Sequence, residues 1–134
     1  MVMHFDEKTF DEAVRGEKPV LVDFWATWCG PCRMIAPAVE KVAADFEGRA
    51  VVGKVDVDEQ TELARRFGIM SIPTLVVMKG GKVVEQGECA HRIHAQGEQV
   101  GGRLVKSGLQ GVGLDDVLLH DGAQGLKCGH FSPQ

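Results

Sequence analysis

The sequence of 134 residues has no apolar run that approaches the ~20 residues of a membrane-spanning helix. It also has no excess of positive charge, since 15 lysines and arginines stand against 19 aspartates and glutamates. The formal net charge of −4 argues against nucleic acid or an anionic membrane as the main partner. Residues 1–6 have neither the basic nor the apolar region of a secretory signal, so we expect a cytoplasmic protein.

Cysteine is scarce as well, with four residues in the chain, and two of them form the pair Cys29-Gly30-Pro31-Cys32. In the cytoplasm most thiols stay reduced, so a pair at this spacing is more often catalytic or metal-binding than a structural disulfide. The pair is therefore the first candidate for a functional site. A zinc knuckle or inert thiols remain as its alternatives.

The chain does contain enough apolar sequence for a core, with 44% hydrophobic and 25% charged residues, which is typical of one globular domain. Strand-like and helical patterns alternate in the order β-α-β-α-β-α-β-β. This order predicts an α/β fold with a mixed sheet of four to five strands and helices on both faces. The expected strands cover residues 2–5, 20–26, 50–57, 74–78 and 83–86, and the expected helices follow Asp6, run from Arg33 to Phe46 and run from a cap at Asp58 to Gly68.

The composition changes near residue 88. Nine of the 17 glycines and four of the five histidines lie within residues 89–134. Glycines in an expected last helix over 91–106 weaken it by roughly 1 kcal/mol each relative to alanine. We therefore expect a domain over residues 1–106 and a flexible, glycine-rich tail over 107–134. A shifted reading frame beyond codon 87 would also produce so abrupt a change, and translation of the coding DNA in the other two frames tests that hypothesis.

Five residues of the C-terminal part are possible zinc ligands, but their spacing matches no familiar close-ligand pattern, so we expect no metal site. A disulfide between Cys89 and Cys128, or two surface thiols, is the preferred interpretation. The five residues are Cys89, His91, His94, Cys128 and His130.

Cys29 stands where the apolar strand gives way to a helix, and this placement predicts redox chemistry for the pair. Unpaired N–H groups and the dipole at a helix start favour a negative sulfur, so the pKa of Cys29 should fall toward neutrality. A thiolate attacks disulfides, and Cys32, one turn further, can reach the same sulfur. We assign Cys29 as the nucleophile and Cys32 as the resolving thiol. Pro31 suits the first helical turn because it needs no N–H partner there.

The stretch Trp25–Cys32, WATWCGPC in one-letter code, closely resembles the active-site sequence of the thioredoxin family. Asp23 looks like the family's buried carboxylate, Lys54 like its lysine partner on the next strand, and Pro37 like its helix kink. The stretch 72–74, Ile-Pro-Thr, looks like the cis-proline loop that faces the cysteines. The match spans residues 2–88 and implies a thioredoxin fold. Beyond it the chain departs from the family pattern, with Glu-Cys-Ala at 88–90 where the family has a segment of the Val-Gly-Ala type.

The resemblance implies a protein-disulfide reductase that works by dithiol–disulfide exchange at Cys29 and Cys32. It implies no cofactor other than the redox-active disulfide of these two residues. The implied electron donor is a thioredoxin reductase or an equivalent, because the sequence has no nucleotide-binding glycine loop, and the implied clients are disulfide-containing proteins. We expect a monomer that binds neither nucleic acid nor membranes. A scaffold that holds partners on the same surface, with incidental redox activity, is the alternative of another class.

A carboxylate on a buried strand is costly unless it has a partner or a function, and burial raises its pKa. By the resemblance, Asp23 accepts the proton of Cys32 during resolution, and Lys54 adjusts the charge of Asp23. A structural ion pair between the two residues is the alternative.

The resemblance also implies a substrate groove around the cysteines. Trp28 would form an exposed apolar shelf, and Ile72, before a cis-Pro73, would pair its backbone with an extended substrate strand. Trp25 and Pro37 take structural roles. The other expected groove residues are Gly30, Pro31, Met70 and Ser71.

Overall fold

The structure, a computed structural model, describes residues 2–88. The expected last helix over 91–106, the tail over 107–134 and the possible zinc ligands from Cys89 onward lie outside the described residues, so those predictions remain untested. Strands and helices of the described part alternate in the predicted order. They are β1 (Met3–His4), α1 (Glu7–Arg15), β2 (Val20–Trp25), α2 (Gly30–Asp45), β3 (Val51–Asp56), α3 (Thr61–Arg66), β4 (Thr74–Lys79) and β5 (Lys82–Glu88).

One five-stranded sheet organises these elements, with the strand order β1-β3-β2-β4-β5. β1, β3 and β2 are parallel, whereas β4 and β5 run antiparallel to their neighbours. Residues of α1 and α3 pack on one face of the sheet, and residues of α2 pack on the other. The predicted mixed sheet with helices on both faces is confirmed.

β2 lies at the centre of the sheet and is buried along nearly its whole length. Side chains alternate between the faces of a strand, so Val20, Val22 and Phe24 pack toward α1 and α3 while Leu21 packs against α2. Both faces are covered, which explains why the strand is apolar at nearly every position. By the same alternation Asp23 points to the α2 face.

The first two helices begin at side-chain caps. The Asp6 carboxylate accepts the backbone N–H of Thr9 at 2.8 Å, and the Thr9 hydroxyl oxygen accepts the backbone N–H of Asp6 at 2.9 Å. This capping box confirms the predicted start of α1. α2 begins at Gly30, three residues before the apolar helical period that starts at Arg33, and the sulfur of Cys29 serves as its N-cap, so Pro31 lies in the first turn as predicted.

α3 is shorter than predicted, and Asp58 does not cap it. The helix begins at Thr61 after Gln60, which makes no side-chain capping hydrogen bond. Asp58 instead accepts a hydrogen bond from a tryptophan 30 positions earlier in the chain. The cap prediction was wrong because a tertiary contact takes up this carboxylate.

The β4–β5 hairpin turns at Gly80 and Gly81, whose φ angles of 61° and 76° favour glycine. Pairing starts at once between Lys79 and Lys82 and continues to the end of β5, so this strand is longer than the predicted 83–86. Because β4 is antiparallel to β2, its first residue lies beside Phe24. The loop that precedes β4 therefore reaches the end of the sheet where α2 begins.

Gly53 lies on β3 between two neighbouring strands, with the Phe5 ring against it. A Cβ at this position would overlap that ring, so we expect Gly53→Ala to lower the free energy of unfolding by about 1–3 kcal/mol. Denaturant unfolding followed by circular dichroism measures the change. Gly30→Ala is the matched control, because a Cβ there meets nothing within 4 Å. Equal stability of the two variants would contradict the prediction.

Candidate active site

Cys29 and Cys32 lie at the junction of β2 and α2, where they form a disulfide. Cys29 is the last residue before α2, and Cys32 lies in the first turn of that helix, with 5.3 Å between the two Cα atoms. Both cysteines are buried together with Ala26. The predicted pair is thus brought together in its oxidised form.

The start of α2 presents hydrogen-bond donors to Cys29. The backbone N–H of Cys32 donates to Cys29 Sγ at 3.2 Å. Pro31, in the first turn, has no N–H that would need a partner. A donor N–H and the positive end of the helix dipole stabilise a negative charge on this sulfur once the disulfide is reduced. The surroundings of Cys29 are therefore those of an attacking thiolate.

The loop before β4 faces Cys29 from the other side. Its Ile72–Pro73 peptide bond is cis, as the resemblance implies. The carbonyl oxygen of Ile72 lies 3.9 Å from Cys29 Sγ, and since a disulfide sulfur carries no proton, this is a contact rather than a hydrogen bond. The Thr74 hydroxyl donates to the carbonyl oxygen of Ser71 at 2.6 Å and ties the loop to the start of β4. A backbone segment is thereby held beside the reactive sulfur.

Asp23 lies on the α2 face of β2 and is completely buried. Within the described residues, neither of its carboxylate oxygens has a hydrogen-bond partner. Burial raises the pKa of Asp23 from 3.8 to about 7, while the positive charge of Lys54 acts to lower it. The direction agrees with the prediction from sequence. A buried carboxyl group that titrates near neutrality suits the transfer of a proton.

Lys54 is the register partner of Asp23 on β3, so both side chains belong to the same face of the sheet. The Lys54 ammonium does not hydrogen-bond the Asp23 carboxylate. It lies 4.6 Å from the centroid of the Trp25 ring, in a cation–π contact. The two residues are neighbours, as predicted, but the direct ion pair considered as the alternative is not formed.

Two large apolar side chains near the disulfide extend into solvent. Trp28, next to Cys29 in the chain, is 67% exposed, and Met70, two positions before Ile72, is 90% exposed. The predicted groove residues thus belong to the two chain segments that meet at Cys29, although their part in substrate binding stays a prediction. The remaining members are Gly30, Pro31 and Ser71, which are partly buried, and Pro73, which is buried.

Asp58 is a residue of this surface that the sequence did not reveal as such. Trp28 Nε1 donates to Asp58 Oδ2 at 2.8 Å. Asp58 is itself held in place, since its backbone N–H donates to Asp56 Oδ1 at 2.9 Å. The side chain of Trp28 is therefore oriented although its ring is mostly in solvent. No local pattern links residues 30 positions apart, so only the fold reveals the contact.

Removal of the Asp58 carboxylate should weaken substrate binding through Trp28. A typical hydrogen bond contributes about 0.5–1.5 kcal/mol, so we expect Asp58→Ala to raise the KM for a protein disulfide about 2- to 10-fold with little change in kcat. Asp58→Asn keeps an acceptor oxygen and should have a smaller effect. Steady-state kinetics of insulin reduction measure both variants. A kcat loss at constant KM, or equal effects of the two substitutions, would contradict the prediction.

The structural roles of Trp25 and Pro37 stay predictions, and the structure gives the surroundings of both residues. Trp25 is partly buried and packs against the two cysteines and Ala26. Its indole N–H is buried without a hydrogen-bond partner among the described residues. Pro37 lies inside α2, on its exposed side.

Neither a group of metal ligands nor a membrane-spanning helix is present in the described part of the chain. Within residues 2–88, no group of three or more histidine, cysteine, aspartate or glutamate side chains is arranged to hold a metal ion. No helix among these residues combines the length and the apolar character needed to cross a membrane. The cysteines and histidines considered as zinc ligands lie outside them.

The chain is similar to known thioredoxins. The family model for Thioredoxin matches residues 1–96. The thioredoxin of Alicyclobacillus acidocaldarius is 52% identical over 84 residues, which cover 63% of this chain and 80% of that protein. The thioredoxin of Chlorobaculum thiosulfatiphilum is 52% identical over 81 residues, 60% of this chain and 75% of that one. A bifunctional thioredoxin reductase/thioredoxin of Mycobacterium leprae is 47% identical over 81 residues, 60% of this chain and 18% of that protein.

The residues that match the thioredoxin family include those that form the disulfide site. The matched residues include the disulfide at the start of α2, the cis-proline loop beside it and the buried carboxyl group of Asp23. The chain is a thiol–disulfide oxidoreductase that reduces protein disulfides at Cys29 and Cys32, as predicted from the sequence. The redox-active disulfide is the one redox group that the described residues indicate. The match of the family model to residues 1–96 and the identity to these relatives show that this chain belongs to the thioredoxin family.

Proposed function

We propose that the chain transfers electrons from a separate reductase to disulfides of client proteins, with Cys29 as the nucleophile and Cys32 as the resolving thiol. The Cys29 thiolate attacks one sulfur of the client disulfide. That bond breaks, a mixed disulfide forms, and the second client sulfur leaves as a thiolate. The N–H of Cys32 and the start of α2 support this role, because they stabilise the attacking sulfur.

Asp23 completes the second half of the reaction. It takes the proton of the Cys32 thiol, and the resulting thiolate attacks Cys29 Sγ, so the mixed disulfide breaks and the client leaves fully reduced. Two electrons pass to the client, and the Cys29–Cys32 disulfide is the oxidised product. The observation that carries the proposal is the buried carboxyl group of Asp23, which has no hydrogen-bond partner among the residues that the structure describes. It lies on the same face of the sheet as the helix that begins at the cysteines.

The client binds in the groove between Trp28 and the cis-proline loop. Trp28 and Met70 supply exposed apolar surface, and the backbone of Ile72 pairs with an extended client segment beside the client sulfur. Gly30, Pro31, Ser71 and Pro73 line the same groove. Backbone pairing suits many clients, since it does not depend on a particular side chain.

The electron donor is a thioredoxin reductase or an equivalent enzyme. A relative whose name joins thioredoxin reductase and thioredoxin in one protein supports this proposal. The protein acts as a monomer in the cytoplasm, where thiols are kept reduced, and it binds neither nucleic acid nor membranes. The formal net charge of −4 supports the last point.

A reductase-coupled insulin assay with the full chain tests the proposal. With NADPH and thioredoxin reductase we expect catalytic NADPH oxidation and precipitation of the insulin chains. The same assay with dithiothreitol in place of the reductase separates the client reaction from the donor reaction. Chain whose reduced cysteines have been alkylated is the control. Insulin reduction no faster than that of the alkylated chain, with either electron source, would refute the proposal.

A scaffold function is favoured by one observation, the exposure of Trp28 and Met70. A scaffold would hold its partner with or without redox chemistry. Binding of a client protein to the Cys29→Ser/Cys32→Ser double variant discriminates the two functions. A reductase loses the covalent complex in this variant, whereas a scaffold keeps the affinity of the unmodified chain.

A further inference from the structure

The α2 face of β2 and β3 carries several ionisable side chains around the site. Lys54 on β3 is the register partner of Asp23 on β2 and of His4 on β1. Asp56 follows two positions after Lys54 on β3, so its side chain belongs to the same face. The register partner of Asp23 on β4 is Leu75, which is not ionisable. The four charged side chains of α2 are exposed, and the two cysteines at its start do not titrate as a disulfide. Among the described residues, Lys54 is the cation that lies next to Asp23.

Lys54 is in a position to pair with Asp23, yet it does not. The two residues are register partners on adjacent strands, and their side chains share one face of the sheet. A lysine side chain easily spans the distance between such neighbours. Within residues 2–88, the Asp23 oxygens nevertheless have no hydrogen-bond partner.

The ring of Trp25 is the group that the Lys54 ammonium contacts instead. Trp25 is two residues beyond Asp23 on β2 and points to the same face, in register with Asp56. The Lys54 ammonium lies over this ring, 4.6 Å from its centroid. The ring is packed against the disulfide and is partly buried, so it offers the cation a π face at a fixed position.

We propose that Trp25 is a positioning residue of the reaction, whose indole face holds the Lys54 ammonium away from the Asp23 carboxylate. The competition is between two partners of one cation, an aromatic face and a carboxylate. The indole keeps the carboxylate unpaired and therefore able to accept a proton from Cys32. The consequence for catalysis rests on the proton-acceptor role of Asp23 in the proposed function, but the arrangement of the three side chains does not.

A titration of Asp23 in the oxidised protein tests the proposal without any activity measurement. Aspartate labelled with 13C at the carboxyl carbon is followed by NMR against pH, and the Asp23 signal is assigned by its loss in Asp23→Asn. In Trp25→Leu the ammonium is free to approach the carboxylate, and we expect the pKa of Asp23 to fall by roughly 0.5–1 unit. Trp25→Phe keeps a weaker π face and should give a smaller fall. An unchanged or higher pKa in Trp25→Leu would overturn the proposal.

Water that enters beside the smaller leucine would also lower the pKa of Asp23, and a second background separates the two causes. In Lys54→Met no cation is present, so Trp25→Leu should leave the pKa of Asp23 unchanged if the proposal holds. The same fall in both backgrounds would assign the effect to hydration and overturn the proposal. Two-dimensional NMR spectra confirm that each variant is folded. A lowered pKa of Asp23 in Trp25→Leu with undiminished insulin reduction would count against the proton-acceptor role of Asp23 and leave the positioning by Trp25 intact.

Discussion

Replacement of Cys29 by serine is expected to reduce insulin-disulfide reduction to the background rate. A serine hydroxyl is not ionised near neutral pH and cannot form a disulfide, so neither the attack nor the mixed disulfide remains possible. Replacement of Cys32 should act differently. Cys32→Ser keeps the nucleophile but removes the resolving thiol, so the client stays bound to Cys29 by a disulfide that dithiothreitol releases.

Mass spectrometry of the intact complex distinguishes the two variants. Cys32→Ser should show an adduct with the mass of the client, whereas Cys29→Ser should show none. Thr27→Ser is a suitable control, because Thr27 is exposed and close to the pair but has no part in the proposed reaction. Full activity of Cys29→Ser would refute the assignment of the nucleophile. An adduct on Cys29→Ser would mean that the two cysteines have exchanged roles.

Replacement of Asp23 by asparagine is expected to remove a pH dependence of stability. The pKa of Asp23 is about 7 in the folded protein, against an ordinary value of 3.8. Between these pH values the folded state keeps a proton that the unfolded chain releases, so stability falls as pH rises from about 4 to about 7 and then levels off. The full effect corresponds to roughly 4 kcal/mol. Asp23→Asn should lack this fall.

Urea unfolding of the oxidised protein at several pH values between 4 and 8 measures this difference. The free energy of unfolding of Asp23→Asn relative to the unmodified chain should increase with pH over that range. A buried asparagine amide without partners adds a penalty of its own, but that penalty is the same at every pH. Glu12→Gln, on the exposed side of α1, is the control and should follow the unmodified chain. A constant difference across the range would show that Asp23 titrates normally in the folded protein.

The parts of the site that follow from local sequence could be predicted. An apolar stretch with one carboxylate is readable as a central strand, and the two cysteines follow it at the spacing of one helical turn. The resemblance predicted that Lys54 lies beside Asp23. In the structure, the parallel pairing of β2 and β3 places the two residues in register. These features depend on residues close in the chain or on strand register, which hydrophobic patterns specify strongly.

The atom that caps α2 and the partners of two side chains could not be predicted. Pro31 indicated where the helix starts, but sulfur is not among the preferred capping atoms, so nothing in the sequence indicated that Cys29 Sγ accepts a helix N–H. Asp58 has a common N-cap residue type, and only its tertiary contact with Trp28 shows its actual partner. Lys54 lies near both Asp23 and Trp25, and the sequence pattern does not predict that its ammonium contacts the Trp25 ring.

The packing of Trp25 against the disulfide also determines what tryptophan fluorescence measures in this protein. The chain has two tryptophans and no tyrosine, and both indoles, Trp25 and Trp28, stand within a few residues of Cys29. Ultraviolet emission therefore originates almost entirely at the reactive end of the sheet. A disulfide quenches an adjacent excited indole, so the emission intensity serves as a built-in gauge of the redox state. An unfolding curve recorded by this emission describes the surroundings of the disulfide first and the rest of the domain only through cooperativity.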